Sequence, residues 1–180
     1  MAIGLLGICG SERKASINRS LLVAIGEALP VEATLAIWDS LDVPIFNSDL
    51  TEPTRVSALK RAIADADGIV FASPEYNYSI PGGLKNALDW LSSPPASSPL
   101  RGKPVAVVGA ASGMGGTIRA QLHMRQILLF SDSQVLAQPE VLIPRAHERF
   151  DASGHLIDEP TRGLLAGFGA AMVAFVARHR

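Results

Sequence analysis

The sequence predicts an α/β fold: a three-layer sandwich in which a five-stranded parallel sheet carries helices on both faces. Two observations predict it. Short, continuous apolar runs alternate with segments of helical periodicity along the whole chain, as in successive strand–helix units. The runs also lack a polar alternation, as strands buried on both faces do. At 180 residues the chain has the length of one domain, 1–180, and it shows no internal repeat.

The elements follow in order. Residues 3–9 form the first strand, apolar throughout. Residues 19–29 form a helix with Leu21, Leu22, Ile25 and Leu29 at helical spacing. Ser16 and Asn18 are N-cap types ahead of it, and Pro30 ends it. Residues 33–38 are the second strand, followed by a polar, Pro-containing connection over 42–52. Helix 54–66 aligns Val56, Leu59 and Ile63. Residues 68–73 are the third strand, 74–81 a loop, and 82–91 a helix with Leu84, Leu88 and Leu91 on one face. Residues 92–99, rich in Ser and Pro, are a surface linker. The fourth strand, 104–110, leads into a glycine-rich loop, 111–116, and a helix, 117–130. A weaker fifth strand lies within 137–143. Residues 147–158 are polar and irregular, and helix 159–178 closes the chain. Its small residues Ala166, Gly167, Gly169 and Ala170 predict close packing. The strand count and the usual right-handed crossovers fit the flavodoxin-like order 2-1-3-4-5.

Composition narrows the function. The net charge is −1 and the pI about 6.4. That balance lacks the basic face of a nucleic-acid binder and the cluster of a polybasic membrane anchor. Cys9 is the only cysteine, so no internal disulfide and no cysteine-only zinc site can form. Within an apolar strand it reads as a small buried hydrophobe rather than a reactive thiol. His123, His147, His155 and His179 have no metal-ligand spacing. No signal-peptide pattern opens the chain, and the apolar run 164–176 is shorter than the ~20 residues that cross a bilayer. The expectation is a cytoplasmic protein without membrane insertion, nucleic-acid partner or metal.

Unusual loops follow the first, third and fourth strands, which are neighbours in the order 2-1-3-4-5 and so bring those loops to one place. The first, 10–18, supplies the hydroxyls of Ser11 and Ser16, the Arg13 guanidinium and the Asn18 amide just before a helix N-terminus. A phosphate monoester uses such donors; an ordinary capped turn with exposed Arg13 and Lys14 uses the same residues. The loop is neither a Walker A sequence nor Gly-x-Gly-x-x-Gly. The second, 73–86, is stiffened by Pro74 and Pro81 around Tyr76, Asn77 and Tyr78. It suits the edge of a planar, partly apolar ring, or equally a well-packed turn anchored by its tyrosines. The third contains Gly113, Gly115 and Gly116, which allow close backbone approach to a ligand.

Taken together these loops resemble the NADPH-dependent FMN reductase family, which includes bacterial chromate and quinone reductases and some azoreductases. Residues 10–18 are similar to its Gly-Ser-x-Arg-x-x-Ser-x-Asn phosphate loop. Pro74 through Trp90 are similar to its Pro-Glu-Tyr-Asn-x-Ser-x-Pro-Gly-x-Leu-Lys-Asn-x-Leu-Asp-Trp signature. The likeness continues through Gly102-Lys103-Pro104 and the third loop to Leu128, leaving the last quarter loose. The resemblance implies that Ser11, Arg13, Ser16 and Asn18 hold the FMN phosphate. It implies that Pro74, Glu75, Tyr76 and Asn77 line the isoalloxazine, mostly through backbone groups, and that Ser112 and Gly113 close the other side. Glu12, beside the phosphate loop, is expected to point to solvent. Helices 82–91 and 117–130 would form the interface of a homodimer or homotetramer.

The implied activity is reduction of a small-molecule acceptor (quinone, free flavin, azo compound or chromate) by NADPH or NADH through FMN. Two alternating half-reactions would share one pocket, with no catalytic side chain, since the flavin carries the chemistry. The alternative is a flavodoxin-type electron carrier without turnover; such carriers are often strongly acidic, unlike this chain. A dehydrogenase using NAD alone is a second alternative. Asp39, at the end of the second strand, is where a ribose-binding acid belongs, but the glycine fingerprint is missing. A regulatory protein that kept the fold and lost activity is a third.

Overall fold

The computed structural model describes residues 2–179. Its sheet is parallel, built from β1 (Ile3–Cys9), β2 (Ala33–Ile37), β3 (Gly68–Ala72), β4 (Pro104–Ala110), β5 (Gln134–Val135) and β6 (Val141–Ile143). The order is β2-β1-β3-β4-β5, with β6 also paired to β4. β3 and β4 are buried at every position, as central strands flanked by two helical layers. β2, at an edge, exposes Thr34 and Ala36.

The fifth strand differs from its expected single run within 137–143. β5 pairs with Pro104–Val105 and β6 with Val108–Ala110. Residues 136–140 between them exceed the two positions of β4 they pass. Pro139 has no N–H to give the ladder, so the surplus loops out and the edge strand splits.

Helices α1 (Ile17–Ala28) and α5 (Glu159–His179) cover one face of the sheet. Helices α2 (Thr54–Asp65), α3 (Gly82–Leu91) and α4 (Ile118–Phe130) cover the other. Leu21, Leu22 and Ile25 meet Leu165, Phe168 and Met172 in the first layer; Ile63, Leu84 and Met124 meet Ile8 and Phe71 in the second. Each such side chain contributes about 1.5–3 kcal/mol by leaving water. α1 begins two residues earlier than the periodicity suggests, because Ser16 is its N-cap: its Oγ accepts from the Arg19 N–H at 3.3 Å. α4 begins one residue late, because Thr117 adopts φ 74°, outside the helical region.

α5 is longer than its apolar run suggested. At 21 residues and a mean hydropathy of 1.4 it meets the length and composition of a membrane-crossing helix. Its large residues Leu165, Phe168, Met172 and Val176 are nevertheless part of the core. Of its small residues only Gly169 packs closely, where a Cβ would lie 3.2 Å from the Ala28 carbonyl; Ala166, Gly167 and Ala170 are exposed.

Candidate functional site

The loops after β1, β3 and β4 meet at the carboxyl edge of the sheet. Glycine permits their approach. A Cβ on Gly109 would lie 2.1 Å from Thr117 Oγ1 and 2.5 Å from the Ser73 carbonyl oxygen. A Cβ on Gly10 would lie 2.9 Å from Leu84 Cδ2. Between the loops is a cleft of about 300 Å³, lined by Ser11, Arg13, Ser16, Asn18, Pro74, Glu75, Tyr76, Ser112 and Gly113. These are the residues singled out in the sequence, with one exception. Asn77 is not in the lining; it sits in an exposed turn next to it. Ile17, Ala110 and Ala111 also line the cleft and carry no side-chain signal that a sequence would betray.

The first loop faces the cleft with positive charge and donors. Arg13 is exposed and makes no ion pair among the described residues. The Ser11 hydroxyl accepts from the Arg13 N–H at 3.4 Å, which shapes the turn and leaves the hydroxyl proton to donate. The first helical bond of α1 comes from Arg19 and Ser20 to Ser16. The N–H groups of Ile17 and Asn18 lie ahead of it at the positive end of the helix dipole. Cys9 lies under this loop, its Sγ 3.4 Å from the Ser11 carbonyl and 3.5 Å from Ser16 Oγ.

Three side chains hold the loops together, and their partners lie far away in the sequence. Asn18 is buried; its Nδ2 donates to the Ala110 carbonyl at 3.0 Å and its Oδ1 accepts from the Ala110 N–H at 2.9 Å. Its amide therefore ties α1 to the end of β4 and retains one Nδ2 proton for anything in the cleft. Glu12 is exposed, as expected, and lies outside the cleft lining. Its carboxylate accepts from Ser40 Oγ at 2.7 Å and from the Leu41 N–H at 2.6 Å, turning its charge away from the cleft and fastening the first loop to the segment after β2. Glu75 accepts from the Arg119 and Ala120 N–H groups at 2.9 and 3.2 Å and from the Arg119 guanidinium at 3.3 Å. It caps α4, whose own N-cap Thr117 makes no side-chain cap bond.

The second loop turns through a tight hairpin. Tyr76 and Ser79 exchange both backbone hydrogen bonds, and Asn77 and Tyr78 between them have φ of 50° and 66°, as in a type I′ turn. Asn tolerates that region; a Tyr there is strained. Tyr76 and Tyr78 are 46% and 71% exposed, so they are not the packed anchors of an ordinary turn. The Tyr78 ring instead lies under the Arg119 guanidinium at 4.1 Å. Asp39 does not reach the cleft. It is exposed and pairs with Arg55 at 2.8 Å, which holds its carboxyl below the ordinary range.

Known proteins are similar to this chain over most of its length. The family model described as NADPH-dependent FMN reductase matches residues 3–148. The chain is 42% identical over 181 residues to the NAD(P)H-dependent FMN reductase PA1204 of Pseudomonas aeruginosa, covering 99% of this chain and 97% of that protein. It is 37% identical to the 2-hydroxy-1,4-benzoquinone reductase of a Burkholderia species, with 100% of both chains covered. Among solved structures, the flavoenzyme NAD(P)H:(acceptor) oxidoreductase FerB of Paracoccus denitrificans superposes with a TM-score of 0.90 at 32% identity, covering 99% of each chain.

Proposed function

The chain belongs to the NADPH-dependent FMN reductase family, and from that premise we propose how its cleft works. The protein is an NAD(P)H-dependent oxidoreductase of FMN and quinones with a flavodoxin-like fold and FMN as its cofactor. The observation that carries the site assignment is the donor set at the first loop. The unpaired Arg13 guanidinium, two hydroxyls and two free helix N–H groups converge where a carboxylate, Glu12, has been turned away. That set fits a phosphate monoester. The remaining wall of backbone and half-exposed Tyr76 fits a flat ring.

In this reading Ser11, Arg13 and Ser16 bind the phosphate, with Asn18 positioning α1 against β4. Pro74, Glu75 and Tyr76 present the second loop to the ring, Glu75 by holding that loop on α4. Asn77 shapes the hairpin, and Ser112 and Gly113 close the opposite wall. The bound flavin supplies two-electron transfer between NAD(P)H and the acceptor; no side chain serves as nucleophile or general base. One pocket takes donor and acceptor in turn. Quinones and free flavin are the first acceptor class, with azo compounds and chromate as further ones. The chain, read as one domain over 1–180, acts in the cytoplasm as a homodimer or a homotetramer. The exposed Ile118, Leu122, Leu129 and Phe130 of α4 support that assembly; α3 buries its large apolar residues and offers little to a partner.

The test is NADPH oxidation by the purified protein with menadione and no partner protein. Turnover with parallel double-reciprocal lines is expected. Intersecting lines contradict a shared pocket, and no turnover favours the electron carrier. Leu122→Glu is expected to lower the oligomeric mass measured by light scattering; an unchanged mass contradicts the α4 interface.

A further inference from the structure

A second cleft, of about 320 Å³, adjoins the flavin cleft and shares Ser16 and Ile17 with it. It runs along the outer side of α1, between Lys14 and Ser20 on one wall and residues 151–155 on the other. We propose that this cleft takes the ribose 2′-phosphate of NADPH, with Lys14 as the residue that favours the phosphorylated nicotinamide cofactor. The proposal rests on the reading of the neighbouring cleft as the FMN site.

Charge and reach carry it. A nicotinamide dinucleotide is longer than FMN, so with its nicotinamide over the flavin ring its adenosine half must leave the first cleft. One way out crosses the hairpin and α4. The cation there, Arg119, is already paired with Glu75 and stacked on Tyr78. The other way crosses the first loop into the second cleft. There, among the described residues, Lys14 is exposed and meets no carboxylate, and the Arg19 guanidinium donates only to the Trp38 and Asp39 carbonyls, both at 3.4 Å. The one carboxylate in the lining, Asp151, is turned onto its own loop. It accepts from the Ser153 and His155 N–H groups, both at 2.9 Å, and lies 3.3 Å from His155 Nδ1. The α1 wall of the cleft therefore sets Lys14 and Arg19 against the single carboxylate of the facing wall, Asp151, with hydroxyls at Ser20 and Ser153, a net positive lining of the kind that takes a phosphate dianion. A phosphate monoester could reach it from NADPH or from an FMN molecule serving as acceptor.

Steady-state kinetics on wild type, Lys14→Gln and Lys14→Arg separate these sources. With menadione as acceptor, Lys14→Gln is expected to lower kcat/KM for NADPH about tenfold, the loss of one charge-assisted hydrogen bond, mostly through KM. The value for NADH and the affinity for FMN stay unchanged, and Lys14→Arg restores NADPH use. Adenosine 2′,5′-bisphosphate should compete with NADPH in wild type and weaken in the Gln variant, while 5′-AMP inhibition is unaffected. NADPH and NADH losing equally, or neither changing, overturns the proposal. A loss confined to FMN as acceptor, with riboflavin spared, also overturns it and assigns the cleft to an acceptor phosphate. Wild type that retains flavin but oxidises neither cofactor contradicts the reductase reading itself, and the proposal falls with it.

Discussion

Arg13→Ala isolates the phosphate from the rest of the flavin. Arg13 is exposed and has no ion-pair partner among the described residues, so its removal leaves the fold intact and any effect belongs to the ligand. A hydrogen bond to a charged group is worth about 1.5–3 kcal/mol. Solvent around an exposed guanidinium brings that to the low end, about 1.5 kcal/mol, or about tenfold in Kd. The assay is quenching of flavin fluorescence on titration with apoprotein, done for FMN and for riboflavin, which has the same ring and no phosphate. The variant should bind FMN about tenfold more weakly, on the same estimate, and riboflavin as wild type does. An equal loss for both flavins would place Arg13 at the ring or in the fold. No loss for either would remove it from the site.

Other perturbations separate holding the loops from touching the ligand. Asn18→Ala leaves the Ala110 N–H and carbonyl unpaired in a buried place, so denaturant unfolding should show a loss of about 2–4 kcal/mol; unchanged stability would contradict the tie between α1 and β4. Gly109→Ala forces a methyl against Thr117 and Ser73, whereas Gly167 has open space around it. The first should cost about 3 kcal/mol, and Gly167→Ala should gain up to about 1 kcal/mol by helix propensity. Thermal unfolding of the two variants would show the opposite shifts, and shifts of the same sign would contradict the close approach at Gly109. The Asp158 carboxyl is held below the ordinary aspartate range by the Thr161 hydroxyl first, then the Thr161 N–H and the Arg149 guanidinium. A depressed native pKa stabilises the fold above the unfolded value, and that stability is lost as pH falls through the native one. Asp158→Asn should therefore be less stable than wild type at pH 7, with the difference vanishing in strong acid; a difference constant across pH would contradict this.

Local pattern made most of the fold legible. The bounds of β1, β4 and α3 follow directly from continuous apolar runs and from the Leu84–Leu88–Leu91 spacing, bracketed by Pro81 and Ser92. The split of β5 from β6 was not legible, because it depends on how residues 136–140 pass β4. Nor was the exposed face of α5, where small residues fit close packing and solvent equally well. At the site, residue types marked out the cleft lining, while their tasks depended on partners remote in sequence. Asn18 and Ala110 are 92 positions apart, and Glu75 and Arg119 are 44 apart. A motif shows that a carboxylate or an amide is present, but not that a strand end or a helix N-terminus has already claimed it. The strained Tyr78 backbone was hidden for a related reason, since nothing local favours a tyrosine at positive φ.

The central claim is that the three loops hold FMN and expose it to NAD(P)H. Its most direct test is the absorbance spectrum of the protein after addition of FMN and desalting, followed by NADPH without oxygen. Flavin bands that stay with the protein and bleach on NADPH are the predicted result. Flavin that is retained but does not bleach, or a colourless protein that also fails to turn over added FMN, would contradict the account.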